Sequence, residues 1–148
     1  MSKVKLIGDN LPNIPWQEKP AGLKNAPVWR YTENPIIRRN PVPGVARVFN
    51  SAVVPVDGAF AGVFRGEQTN GIPCIYFGRS KDAVHWEIDP DKIRFTDKDG
   101  KPFMPPYAYD PRFIKIDGMY YAIWCQDFYG AAIGIAETKD FKTFTRLE

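Results

Sequence analysis

The residues of this 148-residue sequence whose types and spacing could do chemistry are Asn50, Ser51, Arg65, Glu67, Tyr109, Asp110, Arg112, Gln126 and Asp127. Carboxylates, guanidiniums, amides and a hydroxyl gathered in one pocket can bind a polar ligand and exchange protons with it. Tyr107, Tyr109, Phe128 and Tyr129 add aromatic faces that can stack on a sugar ring. Other chemistries are poorly served. The single histidine, His85, makes a His-based triad or most metal sites a poor fit. Cys74 and Cys125 are too few for a disulfide framework or a zinc cluster and sit in apolar runs, as packed thiols do. No metal and no cofactor is expected. Several of these residues also have plainer readings. Asn50 can satisfy backbone groups at the start of a strand. Arg65 and Glu67 can form a surface ion pair worth roughly 0–1 kcal/mol. Asp110 precedes Pro111, a common start to a turn. His85 reads as structural, beside an aromatic.

An internal repeat would bring the candidates together. Val54-Pro55-Val56-Asp57-Gly58-Ala59-Phe60 matches Ile114-Lys115-Ile116-Asp117-Gly118-Met119-Tyr120 at an offset of 60. Gly78-Arg79-Ser80-Lys81-Asp82 and His85-Trp86 match Ala136-Glu137-Thr138-Lys139-Asp140 and Thr143-Phe144 at an offset of 58. Each unit reads as strand, Asp-Gly turn, strand, loop, third strand, then Ser/Thr-Lys-Asp and an aromatic that opens a fourth strand. Four antiparallel strands per unit describe one blade of a β-propeller. Two hairpin pairs in a sandwich are the competing arrangement. The hydroxyl and carboxylate of Ser/Thr-Lys-Asp suit backbone N–H groups in the tight third-to-fourth connection. Trp86 and Phe144 are expected between blades. The alignment sets Asn50 opposite Asp110, each seven residues before its Asp-Gly turn and opening an innermost strand. It also sets Arg65-Gly66-Glu67 opposite Cys125-Gln126-Asp127, at the ends of second strands. Both places return to the mouth of an axial channel.

The rest of the chain is consistent with an all-β class, since no stretch shows a sustained helical period with caps. Residues 1–46 carry seven prolines, from Pro12 to Pro43, and read as an extended N-terminal arm. Trp16, Trp29 and Tyr31 can pin that arm to a surface. Residues 47–106 and 107–148 read as two blades. A net charge of +3, with basic and acidic residues interleaved, argues against a nucleic-acid partner. No apolar run approaches the roughly 18–20 residues of a membrane span, and the start lacks a secretory signal. The expectation is a cytoplasmic protein.

The motifs Arg-Val-Phe-Asn-Ser-Ala (47–52), Val-Phe-Arg-Gly-Glu (63–67), Ser-Lys-Asp-Ala-Val-His-Trp (80–86), Tyr-Ala-Tyr-Asp-Pro-Arg (107–112) and Thr-Lys-Asp-Phe-Lys-Thr-Phe (138–144) resemble glycoside hydrolase family 130. The resemblance runs from about Val28 to Glu148. It implies a five-bladed β-propeller and activity on β-mannosides, as a phosphorylase or a β-mannosidase. It implies Asp110 as the general acid that protonates the glycosidic oxygen, Asn50 and Ser51 as sugar-binding residues, and Arg65 near the mannosyl unit. Arg112, Gln126 and Asp127 would lie at the rim. The family's phosphate ligands belong to later blades and match nothing here. Inorganic phosphate is then a co-substrate, a β-mannoside oligosaccharide the substrate, and a homo-oligomer possible in the intact enzyme.

The expected function is inverting phosphorolysis of a β-1,4-mannoside. Hydrolysis by water and a non-catalytic glycan-binding propeller are the alternatives, the latter opposed by an aspartate at a channel-facing repeat position. Two blades of about 60 residues plus an arm account for the chain, whereas propellers close with 4–8 blades. The sequence is therefore expected to be an N-terminal fragment, inactive alone.

Overall fold

A computed structural model describes residues 14, 15, 17–127 and 130–147. Trp16, Phe128, Tyr129 and Glu148 lie outside the described residues. The strands are β1 (Val45–Val56), β2 (Ala59–Gln68), β3 (Pro73–Ser80), β4 (Trp86–Lys92), β5 (Phe95–Thr96), β6 (Pro102–Phe103), β7 (Ala108–Ile116), β8 (Met119–Asp127), β9 (Ala131–Thr138) and β10 (Phe144–Arg146). One 3₁₀ turn, Ala21–Leu23, is the helical element among the described residues. No helix there is long and apolar enough to cross a membrane. The first sheet has the order β1-β2-β3-β4, and the second β6-β5-β10-β9-β8-β7.

The two sheets share one register. Val54 pairs with Ala61 and Ile114 with Tyr121, both 60 residues on. Each Asp-Gly turn closes its hairpin with two left-handed residues: Asp57 and Gly58 have φ of 46° and 77°, Asp117 and Gly118 of 49° and 80°. That is the type I′ pattern, whose twist matches the flanking strands. The Ser/Thr-Lys-Asp elements also act as expected. Asp82 Oδ1 accepts from the N–H groups of Val84 (3.0 Å) and His85 (2.8 Å). Asp140 Oδ1 accepts from those of Lys142 and Thr143, both at 2.9 Å. These bonds hold each carboxyl below its usual range, with the His85 ring adding to the effect at Asp82.

Strand alternation sends odd and even positions of β2 and β3 to opposite faces. Val63, Ile75 and Phe77 face the second sheet and join Phe95, Phe113, Tyr120, Trp124 and Phe144 in one buried core. Each such side chain contributes about 1.5–3 kcal/mol by leaving water. Phe64, Cys74 and Tyr76 form a second core on the other face of the first sheet. Trp86 packs there, edge-on to Phe64 at 4.9 Å. Phe144 thus lies between the sheets as expected, but Trp86 does not. Equivalent faces point the same way round the axis, so the Phe64–Trp86 face of the first sheet looks away from the second. Ile37 and Val42 of the arm cover it. Those two residues, rather than the exposed Trp29, carry the arm onto the sheet. The hairpin of β5 and β6 bonds to the second sheet, with β5 parallel to β10.

Candidate functional site

The site is built on two bulges, one residue out of step under the 60-residue offset. Between the Val48–Gly66 and Ser51–Phe64 pairs, β1 advances three residues while β2 advances two. Between Tyr109–Cys125 and Arg112–Ile123, β7 and β8 do the same. A bulge bends its strand and re-aims side chains, and such features recur beside active sites. Asn50 and Asp110 occupy these bulges, inside their strands rather than opening them as the sequence reading supposed. Both strands begin before the bulge, β1 at Val45 and β7 at Ala108. The second bulge has a local cause. Pro111 has no N–H to give a ladder, so an unpaired position suits it. Asp110 takes a left-handed φ of 50°, a conformation aspartate tolerates better than most residues.

Asp110 and Arg65 meet across the two sheets. Arg65 Nη1 donates to Asp110 Oδ1 at 2.8 Å, with both side chains partly buried. The Arg65 guanidinium lies 5.2 Å from the Phe49 ring and 5.5 Å from the Tyr109 ring. Phe49 also carries a second cation, Arg47, at 5.2 Å. Arg47 in turn binds Glu67 through two donors, Nε at 3.0 Å and Nη2 at 2.6 Å. A chain of alternating cations and rings, Arg47–Phe49–Arg65–Tyr109, therefore runs from one blade to the other. Tyr107 stands edge-on to Tyr109 at 5.4 Å. The Asp127 carboxylate, with some desolvation, raises the Tyr109 phenol above its ordinary pKa.

Arg65, Tyr109 and Asp110 are thus in direct contact, with Asp127 alongside. Glu67 is near but pairs with Arg47, so the Arg65–Glu67 ion pair considered from the sequence is not formed. Ser51 Oγ donates to the Phe49 carbonyl at 2.7 Å, beside the exposed Asn50. Arg112 turns back to the Pro111 carbonyl at 2.9 Å. Gln126 is buried and accepts from Trp124 Nε1 at 3.1 Å, a core role more than a rim one. Phe49 was missed. Its signal was present, because the 60-residue offset pairs it with Tyr109, and both rings reach the same cation. A separate cavity of about 380 Å³ lies in the arm, lined by Pro27, Trp29, Tyr31 and Ile36 among others, and touches none of these groups.

The arrangement offers one carboxyl with a fixed cation at its side, aromatic surface, and amide and hydroxyl groups on the neighbouring bulge. That equipment suits proton delivery to a polyhydroxylated ligand. Comparisons with known proteins bear on the family rather than on these roles. Residues 9–148 match a family model, glycoside hydrolase family 130, described as beta-1,4-mannooligosaccharide phosphorylase. The chain is 43% identical over 154 aligned residues to a curated beta-1,4-mannooligosaccharide phosphorylase of Ruminococcus albus, covering 99% of this chain and 46% of that protein. It thus spans about half the length of that relative. One similar solved structure is described as showing that the GH130 family of mannoside phosphorylases contains glycoside hydrolases that target beta-1,2 mannosidic linkages in Candida mannan. It is 22% identical with a TM-score of 0.55, over 67% of this chain and 30% of that one. A glycosyl hydrolase from Bacteroides ovatus aligns at 20% identity with a TM-score of 0.55, over 67% and 30%. The two structures bear on the fold alone.

Proposed function

This chain belongs to glycoside hydrolase family 130, whose fold is a five-bladed β-propeller, and from that premise we propose that the intact protein is a β-1,4-mannooligosaccharide phosphorylase with Asp110 as its general acid. The observation that carries this reading of Asp110 is its place on a bulge of β7, left-handed and bound to Arg65 of the other sheet. The reaction is single displacement with inversion. A phosphate oxygen attacks C1 of the terminal mannosyl unit from the face opposite the leaving oxygen. The C1–O bond breaks, its electron pair stays with that oxygen, and Asp110 supplies the proton. The β-linkage becomes an α-mannosyl phosphate and a shortened saccharide. Phosphate is already a competent nucleophile, so cations that hold it replace the second carboxylate a hydrolase needs.

Asn50, Ser51 and Tyr109 line the mannosyl side of this site, and Arg112 and Asp127 its rim. Arg65 holds Asp110 Oδ1, so the proton to be delivered sits on Oδ2. The phosphate ligands stand on other blades, and turnover is expected of the intact protein rather than of two sheets alone. A phosphorylase draws on intracellular phosphate, which favours the cytoplasm. The test is β-1,4-mannobiose with and without inorganic phosphate. Phosphate-dependent release of mannosyl phosphate and mannose is expected. Equal cleavage without phosphate would replace this reading with a β-mannosidase, and binding without cleavage with a glycan-binding propeller.

A further inference from the structure

We propose that Phe49 is a positioning residue of the site: with Tyr109 it forms an aromatic vice that holds the Arg65 guanidinium against Asp110. The role assigned to Asp110 in this inference rests on the proposed function; the vice itself does not.

The need for a vice follows from the way Arg65 is held. One hydrogen bond is described for its guanidinium, Nη1 to Asp110 at 2.8 Å. Its Nε is buried and has no hydrogen-bond partner among the described residues. Arginine is a long side chain with much rotamer freedom, and a single bond at one tip does not fix the plane of the group. The two rings supply what the hydrogen bonds do not. They come from different blades, Phe49 on β1 and Tyr109 on β7, at centroid distances of 5.2 and 5.5 Å. A cation within about 6 Å of a ring face is attracted by the ring's quadrupole. Arg47, fixed by Glu67, stands over the same Phe49 ring at 5.2 Å and limits its movement.

Burial does not account for Phe49. It is 40% exposed and belongs to neither buried core. Here a half-exposed ring sits at the register position where the second blade has Tyr109. Both rings lie within 5.5 Å of the Arg65 guanidinium, which reaches the candidate acid.

The test combines structure and kinetics in the intact protein. Phe49→Leu keeps an apolar side chain and removes the ring. Phe49→Trp keeps a ring face. In a crystal structure of Phe49→Leu, Arg65 is expected to leave Asp110, while in Phe49→Trp it stays. With β-1,4-mannobiose and phosphate, Phe49→Leu should lower kcat about tenfold, as misplaced catalytic groups do. KM for mannobiose should change less than twofold, and Phe49→Trp should restore most of kcat. Arg65 unmoved in Phe49→Leu would overturn the vice, whatever the activity. Arg65 displaced with kcat intact, or equal losses in both variants, would overturn the positioning role. If the unaltered protein shows no phosphorolysis, the proposed function fails, while the position of Arg65 still decides the vice.

Discussion

The two sheets have one register and different fates. Val54 and Ile75 of the first are 7% and 3% exposed, whereas Ile114 and Ile133, at the same register positions of the second, are 49% and 51% exposed. Tyr121, Ile123 and Ile135 share that second face and are half-buried. The apolar character persists where the cover is absent, so the repeat specifies a face to be covered in both blades. In the first blade the second covers it. The bulges of β1 and β7 show the converse. There each inner strand bulges but the residues differ: Asn50 stands where the other blade has Asp110, and Arg65 where the other has Cys125. The scaffold is symmetric and the site is not. The Arg65–Asp110 pair comes from breaking the repeat, not from the repeat itself.

The largest effect should come from removing that asymmetry. Asp110→Asn gives the second bulge the amide of the first. In the intact protein, kcat for phosphorolysis of β-1,4-mannobiose should fall by about 10²–10⁴, the usual contribution of a positioned acid. Asn50→Ala should act mainly on KM. Equal effects of the two substitutions on kcat would mean that the bulges are equivalent after all.

The sequence made the symmetric part legible because the repeat is printed in it. The Asp-Gly turns, the Ser/Thr-Lys-Asp connections and the pairing of Asn50 with Asp110 all follow from two offsets. What it hid was the extra residue in each bulge. Nothing local distinguishes Phe49-Asn50 from an ordinary stretch of strand, so both candidates seemed to open their strands. The partners of Arg65 were hidden for the same reason. Spacing along β2 suggested Glu67, but the bulges turn Asp110 toward Arg65 and leave Glu67 to Arg47. The β5–β6 hairpin was illegible for another reason. Two-residue strands carry no periodicity, and the pairing of Phe95 with Phe144 is parallel and long-range.

The uncovered face provides the next comparison. Ile75→Ala should cost about 2–5 kcal/mol in denaturant unfolding, as buried isoleucines do. Ile133→Ala in the 148-residue chain should cost less than about 1 kcal/mol, within the range of exposed substitutions. In the intact protein the second figure should approach the first, if another blade covers Ile133. Equal costs in the 148-residue chain would show that the face is covered already.

Close packing under the tryptophan separates the blades by a smaller amount. A Cβ built on Gly134 would overlap the Trp124 indole, the ring that occupies the place of Phe64. The register position of Gly134 in the first blade holds Tyr76. Gly134→Ala should cost about 1–3 kcal/mol, because the indole is buried and has no room to retreat. The midpoint of urea unfolding would measure it, and an unchanged midpoint would mean that Trp124 shifts freely.

The smallest effect lies in the two connections. Asp82 and Asp140 each accept two backbone N–H bonds, and Asp82 also meets His85 Nδ1 at 2.7 Å. Replacing either by Ala at pH 7 should cost about 0.5–2 kcal/mol, the range for capping carboxylates, with Asp82 at the upper end. The pH dependence has a definite sign. Both carboxyls are more acidic folded than unfolded. Their contribution is therefore complete above the unfolded value of about 3.9 and fades as pH falls through the lower folded values. Below about pH 4 the gap between the unaltered chain and each variant should narrow. It should persist furthest into acid for Asp82, whose carboxyl is held far below the carboxylate range. The His85 side chain is exposed, so its contact with Asp82 adds little beyond orientation. A gap as wide at pH 3 as at pH 7 would mean that the aspartates act through shape rather than charge. The Ser/Thr-Lys-Asp element would then be a steric turn instead of an anionic cap.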